Sequence, residues 1–377
     1  MKKFNKKVFG IIGLTAKYSN WNADFNGYPK TDKDGKMFAS DKALKFAIRR
    51  YIENEVENSR VFYKKTFKSE NQKDNKKEAE TTTLKVMNFP QRFQSLFGLD
   101  DKEINKTVIP LYALLQCDDV RLFGTAAPFD KNAFSVRGVV QINHGENLND
   151  YTGVIEESIL SPFSGASEKE SNAKDDKKDS NTTIGKAVII DRADYFYNFA
   201  VIPNSWSDAN EVLGEDKFKK IIEDALKNVE KRYEKLDEEE KKQKLQAIKN
   251  LREILLNGKP YHFTEDDYLE FKEAALKGVT AYNSAAKVGC ENSFAVFLEL
   301  KEESHFYPGN LVEFIEFDID DTEEKGVLSV KENFFDLIKE KKEDIDAIEI
   351  YYNPNKISID EKTLDALKET GASIKKI

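Results

Sequence analysis

Three cations, Lys42, Lys45 and Arg49, recur at i, i+3 and i+7, which puts them on one face of any helix that carries them. Cations in that register can grip successive phosphates of a nucleic-acid strand, a contact indifferent to base sequence. The alternative is a solvated helix face with ordinary ion pairs, and spacing alone leaves both open. A second cluster, Asp118-Asp119-Val120-Arg121-Leu122-Phe123-Gly124, precedes Ser135-Val136-Arg137-Gly138-Val139-Val140-Gln141-Ile142-Asn143. An Arg beside a Gly lets a backbone approach closely while the guanidinium meets phosphate. Equally, Arg121 could pair with Asp118 or Asp119 to fix a turn.

Catalytic groups are sparse. The three histidines, His144, His262 and His305, show no metal-ligand spacing, so no metal is expected. No cofactor is expected either, because the chain lacks a phosphate-cradling glycine-lysine loop and a Rossmann glycine pattern. Asp24, Asp32 and Asp34 stand in a turn-rich loop, where carboxylates are usually solvated; cleavage by one of them would rest on position alone. Cys117 and Cys290 have no C-x-x-C spacing and read as buried thiols. The expectation is a binding protein rather than an enzyme.

The elements that must position these groups read as α+β. Residues 7–17 suit a central strand apolar on both faces, followed by a polar loop at 18–39 with Asn26-Gly27 and Asp34-Gly35 turns. Ser40 suits the N-cap of a helix through about Asn58, with Ala43, Leu44, Ala47, Ile48, Tyr51 and Ile52 at helical spacing. Strand, loop, helix is the opening of a ferredoxin-like fold. Residues 67–83 lack a hydrophobic period and read as a mobile loop, and 164–183 as the flexible tip of a long hairpin. Residues 135–143 suit one strand, and a Lys/Glu-rich helical insert fills much of 206–260, stopped by Asn257-Gly258-Lys259-Pro260. Thr264 and Asp267 resemble a capping box, and strands are expected at 293–300 and 347–352. One domain, 1–377, with insertions is the simplest organisation.

Charge is unevenly divided. Of a net −9, residues 1–60 carry 13 Lys/Arg and 7 Asp/Glu, a net of +6, whereas the acidic part 301–377 carries 11 against 20. An RNA site needs a local positive field, not a positive average, and ends of opposite charge favour head-to-tail packing of copies. No apolar run approaches a membrane span; Lys2, Lys3, Lys6 and Lys7 before an apolar stretch imitate a signal peptide, but Leu14 misplaces the cleavage pattern. A cytoplasmic protein is expected.

These pieces resemble the backbone subunit of the type I CRISPR Cascade complex, the Cas-seven family of the RAMP superfamily, in its subtype I-B (Csh-two-like) form. The resemblance rests on Asn22-Ala23-Asp24-Phe25-Asn26-Gly27-Tyr28-Pro29, the helix at 40–50, DVRLFG at 119–124, SVRGVVQIN at 135–143 and the stretch 263–287. It implies an RRM-like palm, finger insertions and a thumb hairpin at 155–188. It further implies that copies line up along crRNA and present it for pairing with a target DNA strand, together with other Cascade subunits. RNA contacts would fall on Asn22, Asn26, Lys42, Lys45, Arg49, Arg121, Gly124, Arg137 and Asn143, with Leu160 and Phe163 as thumb-wedge candidates. Two other readings stay open. One is an RNA-cleaving backbone subunit of a type III-like complex. The other is a general single-stranded RNA-binding protein that stacks bases on Tyr195-Phe196-Tyr197.

Overall fold

The computed structural model describes residues 1–73, 80–104, 108–129, 133–164, 181–203, 215–320 and 322–377. Val8–Ser19 (β1) alternates between two apolar faces: Val8, Ile12, Leu14 and Ala16 enter one core, Phe9 and Ile11 another. A strand with no polar face is stable only in the middle of a sheet covered on both sides. The other members of that sheet are Phe38–Ala39 (β2), Val140–Asn147 (β3), Val154–Ser164 (β4), Asn181–Val201 (β5), Cys290–Leu300 (β6), Ile345–Tyr352 (β7) and Ser373–Lys376 (β8). Their order is β8-β7-β6-β1-β5-β3-β2, and β4 pairs with the first half of β5, Val154 opposite Ile190.

Helices Asp41–Glu55 (α1), Asp118–Phe123 (α2), Glu215–Glu230 (α3), Glu238–Asn257 (α4) and Glu265–Ala281 (α5) all contribute to the first core. α1 buries Leu44, Ala47, Ile48, Tyr51 and Ile52, the apolar stripe expected of it, but ends three residues before Asn58. α3 and α4 form a helical pair within the expected insert, burying Ile222, Leu226, Ile248 and Leu251; residues 206–214 of that expectation lie outside the described ones. α5 starts with the capping box read from the sequence, Thr264 accepting from the Asp267 N–H and Asp267 from the Thr264 N–H.

The second face of the sheet lies under a C-terminal module. Strands Ile315–Asp320, Lys325–Val330 and Ile357–Ile359 and helices Glu332–Glu340 and Glu361–Glu369 close over it, packing Leu311, Leu328, Phe334 and Leu367 onto Ile11 and Val296. Arg192 bolts the module down: it donates to Asp194 at 2.7 Å and to the carbonyls of Glu324 and Lys356 at 2.6 and 3.2 Å. Among the described residues, no helix is long and apolar enough to cross a membrane.

Several expectations are corrected. Residues 67–83 are not an irregular loop: Phe67–Lys73 and Glu80–Val86 pair antiparallel, and only 74–79 lie outside the described residues. The ribbon has no hydrophobic period because both its faces are exposed near the base; Lys68 and Lys85 flank Glu70 at 2.7 and 2.5 Å and hold its carboxyl down at about 2. Residues 135–143 form two strands, not one. Phe134–Arg137 pairs with Gly124–Ala127, and the chain then breaks at Gly138 before entering β3. Tyr195, Phe196 and Tyr197 are all buried, so they form no stacking surface.

Arg121 is the largest correction. Its side chain is fully buried, with Nε and Nη2 donating to the two Asp267 oxygens at 2.8 and 2.5 Å. Its remaining donors meet the carbonyls of Leu115, Pro260 and His262. The pair it makes is neither of the local ones considered, nor a phosphate contact. Burial pushes the Asp267 carboxyl up, but Arg121 and Lys259 more than offset this and hold it below the usual range. Lys259 also pairs with Asp118 and approaches Glu270 to 3.6 Å. One lysine facing so many carboxylates leaves Glu270 undercompensated, and burial, with Asp118 and Asp267 nearby, pushes it up to about 7.

Two outcomes follow from this network. Arg121→Met strands the Asp267 charge in the core and should cost about 3–5 kcal/mol of unfolding free energy in urea titrations. Glu270, with its folded pKa above the ordinary 4.5, keeps a proton that the unfolded chain has lost, so stability falls as pH rises from about 4.5 through 7. Glu270→Gln should therefore match wild type at pH 5 and exceed it at pH 8, by up to about 3 kcal/mol.

Candidate nucleic-acid interface

α1 presents its three cations on one face, but only Lys42 is fully exposed. The Lys45 ammonium lies 2.9 Å from Asp41, one turn earlier, and 5.6 Å from the centre of the Phe123 ring. Arg49 donates through Nε to Asp119 at 3.1 Å, with its guanidinium 5.0 Å from the Phe123 ring and 5.4 Å from Tyr63. The arrangement is a cation–aromatic strip, two of whose charges already have partners.

Asp119 explains why Arg49 cannot leave freely. Its carboxylate is fully buried and also accepts the N–H groups of Phe62 and Tyr63 at 2.8 and 2.9 Å. Burial raises its pKa, opposed by Arg49 and those two amides. Arg49 thus secures the 62–63 turn as well as facing outward.

Two glycines set the strip's far side. A Cβ on Gly124, whose φ is +78°, would lie 2.2 Å from the Val136 carbonyl oxygen, and one on Gly138 would lie 2.2 Å from the Phe123 carbonyl carbon. Two backbones cross there, so the close approach that the sequence reading assigned to phosphate is made within the chain. Gly124 is buried; Arg137, opposite it on the hairpin, is exposed.

The strip's near side is β3. Asn143 and His144 are exposed, and His144 stacks on Phe38 at 5.5 Å while Nδ1 accepts from the Asp41 N–H at 3.3 Å. Asn22 is spent on structure: its side-chain oxygen accepts from the Ser40 N–H at 2.5 Å, which ties the loop to the start of α1. Ser40 itself makes no side-chain cap bond. Asn26 is exposed on a turn in which one Asp24 oxygen accepts the N–H groups of Asn26 and Tyr28. That loop rests on the β4–β5 hairpin through Tyr28 to Glu156 at 2.8 Å and Asn20 to the Val188 carbonyl at 3.1 Å.

The structure therefore gathers Lys42, Lys45 and Arg49 between the Gly124–Arg137 crossing and Asn143. It removes Arg121 to the core and leaves Asn22 and Asn26 on the adjoining loop. Leu160 and Phe163 lie on β4, with side chains outside the described residues. Phe123 and Tyr63 were missed in the sequence reading. Nothing local marked Phe123, since every residue before it in α2 is buried and the helix has no solvent-facing pattern to read.

Lys42→Ala and Arg137→Ala should each lower the salt dependence of RNA binding by about 0.7 in log–log slope without changing stability. Arg49→Ala should lower the slope too, and also lose about 2–4 kcal/mol of stability, because Asp119 is left buried and uncompensated. Filter binding across a salt series and urea titration separate the two behaviours.

No curated protein matches the chain. Among solved structures, a chain described as "CRISPR RNA-guided surveillance complex, pre-nicking" aligns over 97% of this chain and 99% of its own, at 14% identity and a TM-score of 0.40. The sequence itself matches the family described as CRISPR-associated protein Cas7 over residues 6–337. With most of its length inside that match, the chain belongs to the CRISPR-associated protein Cas7 family.

Proposed function

We propose that the chain is a multi-copy backbone subunit of a type I-B CRISPR Cascade complex that binds crRNA along its spacer. It presents the RNA for pairing with a target DNA strand in antiviral defence and performs no chemistry of its own. The observation that carries this reading is the strip of Lys42, Lys45 and Arg49 over Phe123, flanked by Arg137 and Asn143. It offers cations and aromatic faces, groups that meet phosphate and ring without reading base edges. Pairing between guide and target reads sequence, so a guide holder needs backbone contacts and free base edges.

The chain order β1-α1-β3-β5-α5-β6, with β6-β1-β5-β3 as spatial order, supports reading the sheet as an RRM-like palm. The β4–β5 hairpin would be the thumb, with Leu160 or Phe163 wedging against a displaced base of the RNA on the adjacent copy. The hairpins between α1 and β3 would be fingers, and further Cascade subunits would complete a cytoplasmic particle. The cleaving alternative has less support. Asp24 and Asp32 each use one carboxylate oxygen to accept two turn amides, the work of loop staples. The sheet-stacking alternative loses its aromatics to the core.

Co-expression with its gene neighbours, followed by purification and RNA sequencing, tests the proposal. Uniform short RNAs with repeat-derived ends, in a particle holding several copies of the chain, are expected. A clean monomer with random cellular RNA would overturn it.

A further inference from the structure

The cation–aromatic strip does not end at Tyr63. The chain continues through Lys64 and Lys65 into the exposed ribbon of Phe67–Lys73 and Glu80–Val86. Its register sets Phe67 opposite Val86 and Ser69 opposite Leu84, so Phe67, Leu84 and Val86 share one face. That face is open: Phe67 is 53% exposed, Leu84 74% and Val86 51%. The Lys65 ammonium lies 5.4 Å from the centre of the Phe67 ring.

A two-stranded ribbon standing alone is marginally stable, and an aromatic left half in water on it gains most from a flat partner. We propose that this face stacks unpaired bases of the guide RNA held along α1, Phe67 as the platform and Lys65 meeting the adjoining phosphate. The inference rests on the guide-binding function proposed above and assigns to it residues outside the palm. Three features favour a nucleobase over a protein surface. The ribbon continues directly from Tyr63, which already lies over Arg49. A cation sits beside the exposed ring. The opposite face carries Lys68 and Lys85 against the single carboxylate of Glu70, so it keeps one positive charge in excess. Base–aromatic stacking is tolerant of sequence, as a guide holder requires.

The test uses the purified full chain and a short single-stranded RNA carrying 2-aminopurine at successive positions. Phe67→Ala should weaken binding roughly five- to a hundredfold with an unchanged salt slope, and should abolish quenching of 2-aminopurine at one position per bound chain. Phe67→Trp should restore both, which a merely structural role would not require. Unchanged affinity and quenching in Phe67→Ala would overturn the inference. So would unchanged RNA affinity with reduced self-assembly by mass photometry, which would make the face a contact between copies. A wild-type chain that binds no RNA at all is a separate result, and it removes the proposed function along with this extension of it.

Discussion

The guanidinium of Arg121 is enclosed where water cannot reach it, and everything nearby is arranged around that fact. A buried, permanently charged group must have each donor satisfied and its charge matched, or the fold loses several kcal/mol. Asp267 supplies the charge and two acceptors, and three carbonyls supply the rest. Because Asp267 is also the third residue of α5, the same ion pair fixes where that helix begins. Arg121 lies two residues from Asp119, which holds Arg49 and the 62–63 turn. The outward face of α1 is therefore set from inside the molecule.

What was legible in the sequence was whatever is written in local pattern. The two-sided apolar run of β1, the stripe of α1 and the Thr264–Asp267 cap are short-range signals, and each element formed close to where it was read. Charge partners were not legible. Arg121 and Asp267 are 146 residues apart, and nothing in the neighbourhood of either distinguishes a phosphate-seeking arginine from one that closes an internal pair. The ribbon at 67–86 escaped for the opposite reason. It buries little at its base, so it offered no buried apolar stripe to read, and its pairing is backbone bonding with cross-strand charge. The break at Gly138 was also hidden, since a glycine inside a β-rich stretch does not reveal that another backbone crosses there.

The three α1 cations illustrate how an interface can be built without leaving free charge idle. Lys45 and Arg49 rest on carboxylates and on Phe123, while Lys42 stands in water. An anion arriving here would displace Asp41 from Lys45 at smaller cost, because that carboxylate keeps 20% of its side chain exposed. It can add to Arg49 but not replace Asp119, whose burial forbids losing its partner. The gradient from free to committed charge runs along the helix, so the end near His144 is the more adaptable one.

The placement of the C-terminal module has an electrical meaning. The acidic stretch 301–377 supplies two strands of the sheet, β7 and β8, and the module that covers one side of it, whereas α1 lies on the other side. Charge is thus divided unevenly: 301–377 carries the whole net −9, and the other 300 residues, with 48 Lys/Arg and 48 Asp/Glu, sum to zero. A polyanion drifting past would exert a torque on the protein before touching it, turning α1 toward the strand and the module away. Orientation would then be largely decided at a distance of about one Debye length, roughly 8–10 Å at ordinary salt. Successive chains reaching the same strand would arrive facing the same way.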